Sequence, residues 1–328
     1  DGEAIFPIGI NLPFPTVKNN MTYSQRPRET LEPIAWDQYM GDVRRYIQEG
    51  GEYFRFFLHP SASDIEFEII GNYLNRMHLA QEIDTLIALC EENHTMVHFN
   101  LMFHTSIMKL ADYWQFRWDF ADYWHDENVW PHKDINPVYG YSTLLNSRTP
   151  SDMFTDLKAL DFLKQRMRYV HARWGYSSAI HSYEILCEPW HLNENWYEKD
   201  VPYDEPGEFG DITRETLKNY HRLMANYFKN ELKAPQLIGA VGRLPRDEVN
   251  IFSHPIGEGY EQNDSTWMDP NIDYLAISYY ANHPDKMIIS KRGRKNNECE
   301  DGENAFACAV EKLFNAYQKP IFIAESDF

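Results

Sequence analysis

The chain has 328 residues and a 43% hydrophobic share, enough for one large core or two smaller ones. Its 31 Lys plus Arg against 50 Asp plus Glu leave a formal charge of −19. That surface repels phosphate backbones and anionic lipid, and no apolar run nears the roughly 20 residues of a membrane span, so neither nucleic acid nor membrane insertion is expected.

Short apolar runs alternate with helical patterns. The first strand is predicted over Ile5–Asn11, and a helix over Trp36–Gln48 stopped by Gly50-Gly51. A second strand spans Tyr53–His59. The helix over Tyr73–Glu92 carries an apolar stripe of Leu74, Met77, Ile83, Leu86, Ile87 and Cys90. A third strand covers Met96–Phe103. After it, from His104 to Pro150, runs a long aromatic connection with Trp114, Trp118, Trp124 and Trp130, read as a cleft wall or a capping subdomain. A helix over Phe154–Trp174 is opened by Ser151-Asp152. The fourth strand is Ser182–Glu188, and a helix over Arg214–Asn230 follows with Thr213 as its cap. Strands at Leu237–Val241 and Tyr274–Tyr280, a helix at Ala305–Tyr317 and a last strand at Ile321–Ala324 complete the order.

Seven strands interleaved with helices predict an α/β fold with a parallel sheet, either doubly wound or a (β/α)8 TIM barrel. No GxGxxG follows the first strand, which weakens the dinucleotide-binding version. A single barrel over residues 1–328 needs an eighth strand. The natural chain is therefore expected to continue, with room for flanking domains, or to be closed from elsewhere. The four cysteines (Cys90, Cys187, Cys299, Cys308) form no CxxC, so a zinc knuckle is not indicated; Cys299 and Cys308 could pair or stay thiols.

In parallel α/β folds sites gather at the carboxyl ends of strands. Those ends carry Asn11, Arg55 and His59, His104, Cys187-Glu188, Ser278-Tyr279-Tyr280 and Glu325. Alternation on the third strand sends Val97, Phe99, Leu101 and Phe103 toward the helices and His98, Asn100 and Met102 inward. A buried arginine needs a carboxylate, so Arg55 is expected to converge with Glu188 and Glu325 and to hold Glu325 ionised. Two carboxyls are what glycosidic cleavage requires: one donates a proton to the leaving oxygen, and the other attacks the anomeric carbon or activates water. Trp190 and His191, just past Glu188, are candidate sugar contacts. Strict alternation places Cys187 and Glu188 on opposite faces, so both reach one site only if the strand end bulges.

The segment FLKQRMRYVHARWGYSSAIHSYEILCEPWH (Phe162–His191) resembles the helix-three to strand-four region of clan A glycoside hydrolases, above all family-5-like and family-39-like enzymes. KPIFIAES resembles their seventh strand, FPIGIN the first and YFRFFLHP the second with its arginine. The resemblance implies a (β/α)8 barrel that cleaves β-linked oligo- or polysaccharides by a retaining double displacement, without a cofactor. Glu188 would be the acid/base and Glu325 the nucleophile; Asn11, Arg55, His104, Cys187, Trp190 and Tyr280 would bind substrate. A secreted, periplasmic or cell-surface location is expected.

Two positions depart from the family. Cys187 stands where an asparagine binds the sugar 2-hydroxyl, and Ser278 where a histidine precedes the strand-six tyrosine, matched by Tyr280. The alternative is a catalytically weakened barrel acting as a carbohydrate-binding protein. A metal hydrolase using His59, His98, His104 and Glu188 ranks behind both, with no paired-His motif in its support.

Overall fold

The computed structural model describes residues 8–15, 28–59, 63–66, 70–106, 152–189, 214–243, 266–279 and 310–326 apart from 312 and 316. Seven strands form one sheet in chain order: β1 (Ile10–Asn11), β2 (Tyr53–Phe57), β3 (Met96–Asn100), β4 (Ile180–Glu184), β5 (Leu237–Arg243), β6 (Tyr274–Tyr279) and β7 (Ile321–Ser326). All neighbours are parallel. Helices α1 (Arg28–Gln48), α2 (Met77–Glu92), α3 (Leu157–Trp174) and α4 (Arg214–Asn226) link the first five strands.

A doubly wound sheet would permute the strand order; here it is sequential. The two edges also meet: Asn11 Nδ2 donates to the Ala324 carbonyl of β7 at 3.1 Å. The architecture is a nearly closed (β/α)8 barrel that lacks its eighth strand among the described residues. No described helix is long and apolar enough to cross a membrane.

The core lies between the barrel wall and the helices. β2 is buried at every position, as a strand covered on both sides must be. Its Phe56 packs with Trp36 and Tyr39 of α1 and with Phe99 of β3. The buried stripe of α2 is Leu79, Ala80, Ile83, Leu86, Ile87 and Cys90, at helical spacing.

Several boundaries differ from those expected. α1 begins at Arg28 and takes Pro33 into its second turn, eight residues before the predicted start at Trp36. The helix predicted from Phe154 is broken into a turn at Asp152–Thr155 and α3, whose cap is Asp156, accepting from the Ala159 amide at 3.0 Å. α4 passes into a π-helical turn at Tyr227–Glu231. β4 ends at Glu184, four residues before its predicted end. Ile185, Leu186 and Cys187 are all fully buried, so apolarity runs past the end of the ladder, and the period-2 pattern stops with it. Beyond β3 the inward–outward alternation also fails: Met102 joins the main core, whereas Phe103 packs with Phe14, Phe57 and Cys187 at the mouth.

Candidate active site

The barrel interior is built around a carboxylate that strand-end reasoning passed over. Glu184, the last residue of β4, is fully buried. Arg55 of β2 donates to it from both Nε (3.0 Å) and Nη2 (2.6 Å). Asn100 Nδ2 adds a bond at 2.9 Å, and His98 Nε2 lies 2.9 Å from the other oxygen. Burial alone would raise its pKa; the Arg55 charge and the His98 bond outweigh burial and hold it well below the carboxylate range.

His98 is drawn the other way, lowered by burial against the pull of Glu184. The contact is therefore a hydrogen bond from a neutral ring and not an ion pair. A carboxylate only accepts, so Nε2 carries the proton and Nδ1 accepts from Tyr53 Oη at 3.1 Å. Tyr274 Oη reaches the same ring at 3.3 Å. Its ring crosses the interior because Gly239 leaves room: a Cβ there would fall 2.1 Å from Tyr274 Cζ.

Arg55 was expected to hold Glu325 ionised. Among the described side chains Arg55 binds Glu184, which is in register with Asn100 on the wall beside it; the side chain of Glu325 lies outside the described residues. The same Nη2 also reaches Cys187 Sγ at 3.3 Å. Cys187 is a fully buried thiol, not half of a disulfide. Its amide bonds the Met102 carbonyl at 2.9 Å, and it forms an isolated bridge with Phe103.

Clamped in this way, the chain turns sharply at the next residue. Glu188 has φ +47°. Three other non-glycine residues with positive φ, His94, Lys233 and Gln318, follow helix ends, where left-handed backbone is a common stop. Glu188 follows no helix, and such conformations persist where surrounding structure imposes them. Its side chain is 13% exposed, and Oε2 lies 3.7 Å from Nδ1 of the buried His104. His59 stacks on Phe14 with centroids 3.8 Å apart, and Phe103 joins them. The bulge expected at Cys187-Glu188 is not what sets them apart: the ladder has already ended at Glu184, and the departure is the left-handed backbone of Glu188.

Two arginines of the RMRYVHARW stretch tie loops and helices together. Arg166 is fully buried; it binds Asp64 Oδ1 at 2.7 Å and Glu66 Oε2 at 3.3 Å in the loop after β2, and the Leu101 carbonyl after β3 at 3.0 Å. Arg173 forks onto Asp84 of α2, which also accepts from Trp174 Nε1. Burial raises the Glu66 pKa against the pull of Arg166.

The structure therefore brings together Arg55 and Cys187, and His104 and Glu188, at one end of the barrel. Asn11 sits on β1 with its amide turned to β7. Glu325 lies in β7, in register with Ser278 after a register shift past Ile277; its side chain is outside the described residues. So are Trp190, His191, Tyr280, Cys299, Cys308, Thr213 and residues 107–150 of the aromatic connection. The histidines of the metal reading are dispersed: His98 in the interior network, His59 against Phe14, His104 beside Glu188. No group of three potential ligands that could hold a metal ion occurs among the described residues. Glu184 was findable in the sequence: it follows Ser182 at the inward period, beside the inward His98 and Asn100, once the strand end is placed correctly.

No protein-family model matches the chain. No curated protein matches it either. Solved structures do. An endo-1,4-β-mannanase from Rhizomucor miehei aligns over 100% of this chain and 79% of its own, at 13% identity and TM-score 0.57. A family 1 β-glucosidase from Thermotoga maritima aligns over 98% and 77%, at 12% and 0.52. An endo-β-1,4-mannanase from Thermotoga petrophila aligns over 98% of this chain at 13% and 0.51, and the chain spans only 60% of its length. The chain thus has the barrel fold of the clan A glycoside hydrolases.

Proposed function

We propose that this chain is a retaining glycoside hydrolase that cleaves β-linked glycans with Glu188 as acid/base and Glu325 as nucleophile. The observation that carries this is Glu188: a left-handed, partly exposed glutamate at the carboxyl mouth of a glycosidase-type barrel, beside a buried histidine. In the first step the Glu325 carboxylate attacks the anomeric carbon. The glycosidic C–O bond breaks as Glu188 protonates the departing oxygen. In the second, Glu188 takes a proton from water, the water oxygen attacks the same carbon, and the Glu325 carboxylate is released. The names of the similar structures make β-mannans and β-glucosides the first substrates to try.

In this reading the whole chain is one catalytic barrel, residues 104–150 add a cleft wall with Trp114, Trp118, Trp124 or Trp130 against the glycan, and Asn11, His104, Trp190 and Tyr280 line the sugar site. The enzyme works outside the cytoplasm. Glu325→Gln tests the roles: turnover is abolished with the fold intact. Glu188→Ala spares the first step for aryl glycosides with good leaving groups, which need little protonation. Full activity in Glu325→Gln overturns the assignment.

One observation favours a second reading. Cys187 is wholly buried under Phe57 and Phe103 and engaged by Arg55, where the resembling enzymes use an amide toward the sugar. A barrel that binds glycans without cleaving them would tolerate that exchange. Glycan binding without turnover of any aryl glycoside would establish it.

A further inference from the structure

β3 ends at Asn100, and the chain then runs on beside the proposed acid/base. The Leu101 amide donates to the Glu184 carbonyl at 2.9 Å, and the Met102 carbonyl accepts from the Cys187 amide at 2.9 Å. Phe103 bridges Cys187, and His104 Nδ1 faces Glu188 Oε2 across 3.7 Å. The stretch from Leu101 to Ser106 therefore meets Glu188 through the backbone of the residue before it and through its own carboxyl.

A brace on this stretch comes from α3. Past the end of the ladder the Leu101 carbonyl accepts from Arg166 Nε at 3.0 Å, so a side chain supplies a bond to a buried backbone group where strand pairing has stopped. Nη1 of the same guanidinium binds Asp64 Oδ1 at 2.7 Å, and Ser106 Oγ lies 3.5 Å from Asp64 Oδ2. One buried guanidinium thus reaches both ends of the segment that carries His104, directly at Leu101 and through Asp64 at Ser106. We propose that Arg166 is a positioning residue: from α3 it fixes the Leu101–Ser106 stretch and so sets His104 against Glu188. Its worth for catalysis rests on the glycosidase reading; its hold on His104 does not.

A planar guanidinium serves a carbonyl and a carboxylate at fixed angles, whereas lysine carries the same charge on one nitrogen. Arg166→Lys therefore keeps the charge beside Asp64 and Glu66 and removes the geometry. Histidine labelled with 13C at Cε1 reads the result in the whole chain, with the His104 signal assigned by His104→Gln. In the wild type, Glu188→Gln moves the His104 signal, because the two side chains face one another. In Arg166→Lys the same replacement moves it by less than about half as much, the mark of a lost coupling. The signals of His94, after α2, and His181, in β4, stay in place; a general loosening would move them too. The proposal is overturned if Glu188→Gln moves the His104 signal equally in both backgrounds or in neither, or if Arg166→Lys moves all three signals together. If Arg166→Lys does not fold, Asp64→Asn is used: it keeps an oxygen for the guanidinium but weakens the charge-assisted bond, and the displacement shrinks in the same direction. An unchanged displacement in that variant overturns the proposal.

Kinetics separate positioning from plain support. Misplacing the acid matters most where the leaving group needs its proton. Arg166→Lys lowers kcat/KM about tenfold for cellobiose or β-1,4-mannobiose, but less than about twofold for the matching 4-nitrophenyl β-D-glycoside, which leaves with little protonation. An equal loss on both overturns the positioning role. If the wild-type chain turns over none of these, the glycosidase reading fails, whereas the histidine coupling still decides whether Arg166 places His104.

Discussion

Arg55 and Arg166 are both fully buried, one inside the barrel and one under the loops at its rim, and they are neutralised differently. Among the described side chains Arg55 binds Glu184, whose other bonds come from Asn100 and neutral His98. Arg166 faces two carboxylates, Asp64 and Glu66, and Tyr73 leans on the second. In the interior the Arg55 charge and the His98 bond outweigh burial, and Glu184 stays ionised. At the rim acid is in excess, and burial prevails on Glu66. The same residue pairing thus gives opposite responses to pH, decided by whether the charges and hydrogen bonds around the carboxylate outweigh its burial.

The comparison breaks most visibly when each arginine is removed. Arg166→Ala abandons two buried carboxylates and also frees the Leu101 carbonyl. It is expected to cost about 3–5 kcal/mol in urea unfolding, the range for breaking a buried pair. Arg55→Ala falls in the same range. A cost below about 1 kcal/mol for either would mean that water enters and replaces the guanidinium.

pH sharpens the contrast. Glu184 is lowered below its ordinary 4.5, so its stabilisation is complete above 4.5 and is lost as pH falls toward its folded value. His98, lowered from 6.5, adds to that acid-side loss from a higher pH, because the unfolded ring protonates first. Glu66 is raised above 4.5, so its contribution is full below 4.5 and declines as pH rises through its folded value. Glu66→Gln should remove a decline of stability above pH 4.5, and Glu184→Gln a rise below it. Tm measured across pH for both variants checks the two signs.

Smaller effects probe the mouth and the outer wall. Glu188→Gly relieves a left-handed conformation and should stabilise the fold by about 1 kcal/mol while abolishing acid/base assistance. Equal stability would mean that the turn is not strained. Asp84→Asn touches a carboxylate with 44% side-chain exposure, so it should cost about 1 kcal/mol or less, mostly through the Arg173 fork, because the asparagine oxygen can still accept from Trp174.

Element order was legible in the sequence because each strand is a compact apolar run and each helix has a stripe that must be buried. Arg55 was legible as a buried cation in need of a carboxylate. Glu184 was passed over as a partner because Ile185–Cys187 continues the apolar run, which carries the apparent strand end to Glu188 and makes Glu184 seem mid-strand. Sequence periodicity registers burial, and here burial outlasts the ladder. Phe103 was misplaced for the same reason: alternation holds only while strand hydrogen bonds do, and β3 stops at Asn100. Arg166 and Arg173 lie in the stretch that carries the resemblance, and their work in the molecule is to tie loops and helices together.

The central claim is that this barrel cleaves β-glycosides with retention at the anomeric carbon. Hydrolysis of 4-nitrophenyl β-D-mannoside and β-D-glucoside can be followed by 1H NMR of the anomeric proton before mutarotation mixes the products. The account predicts that the β-anomer appears first; the α-anomer appearing first would contradict it.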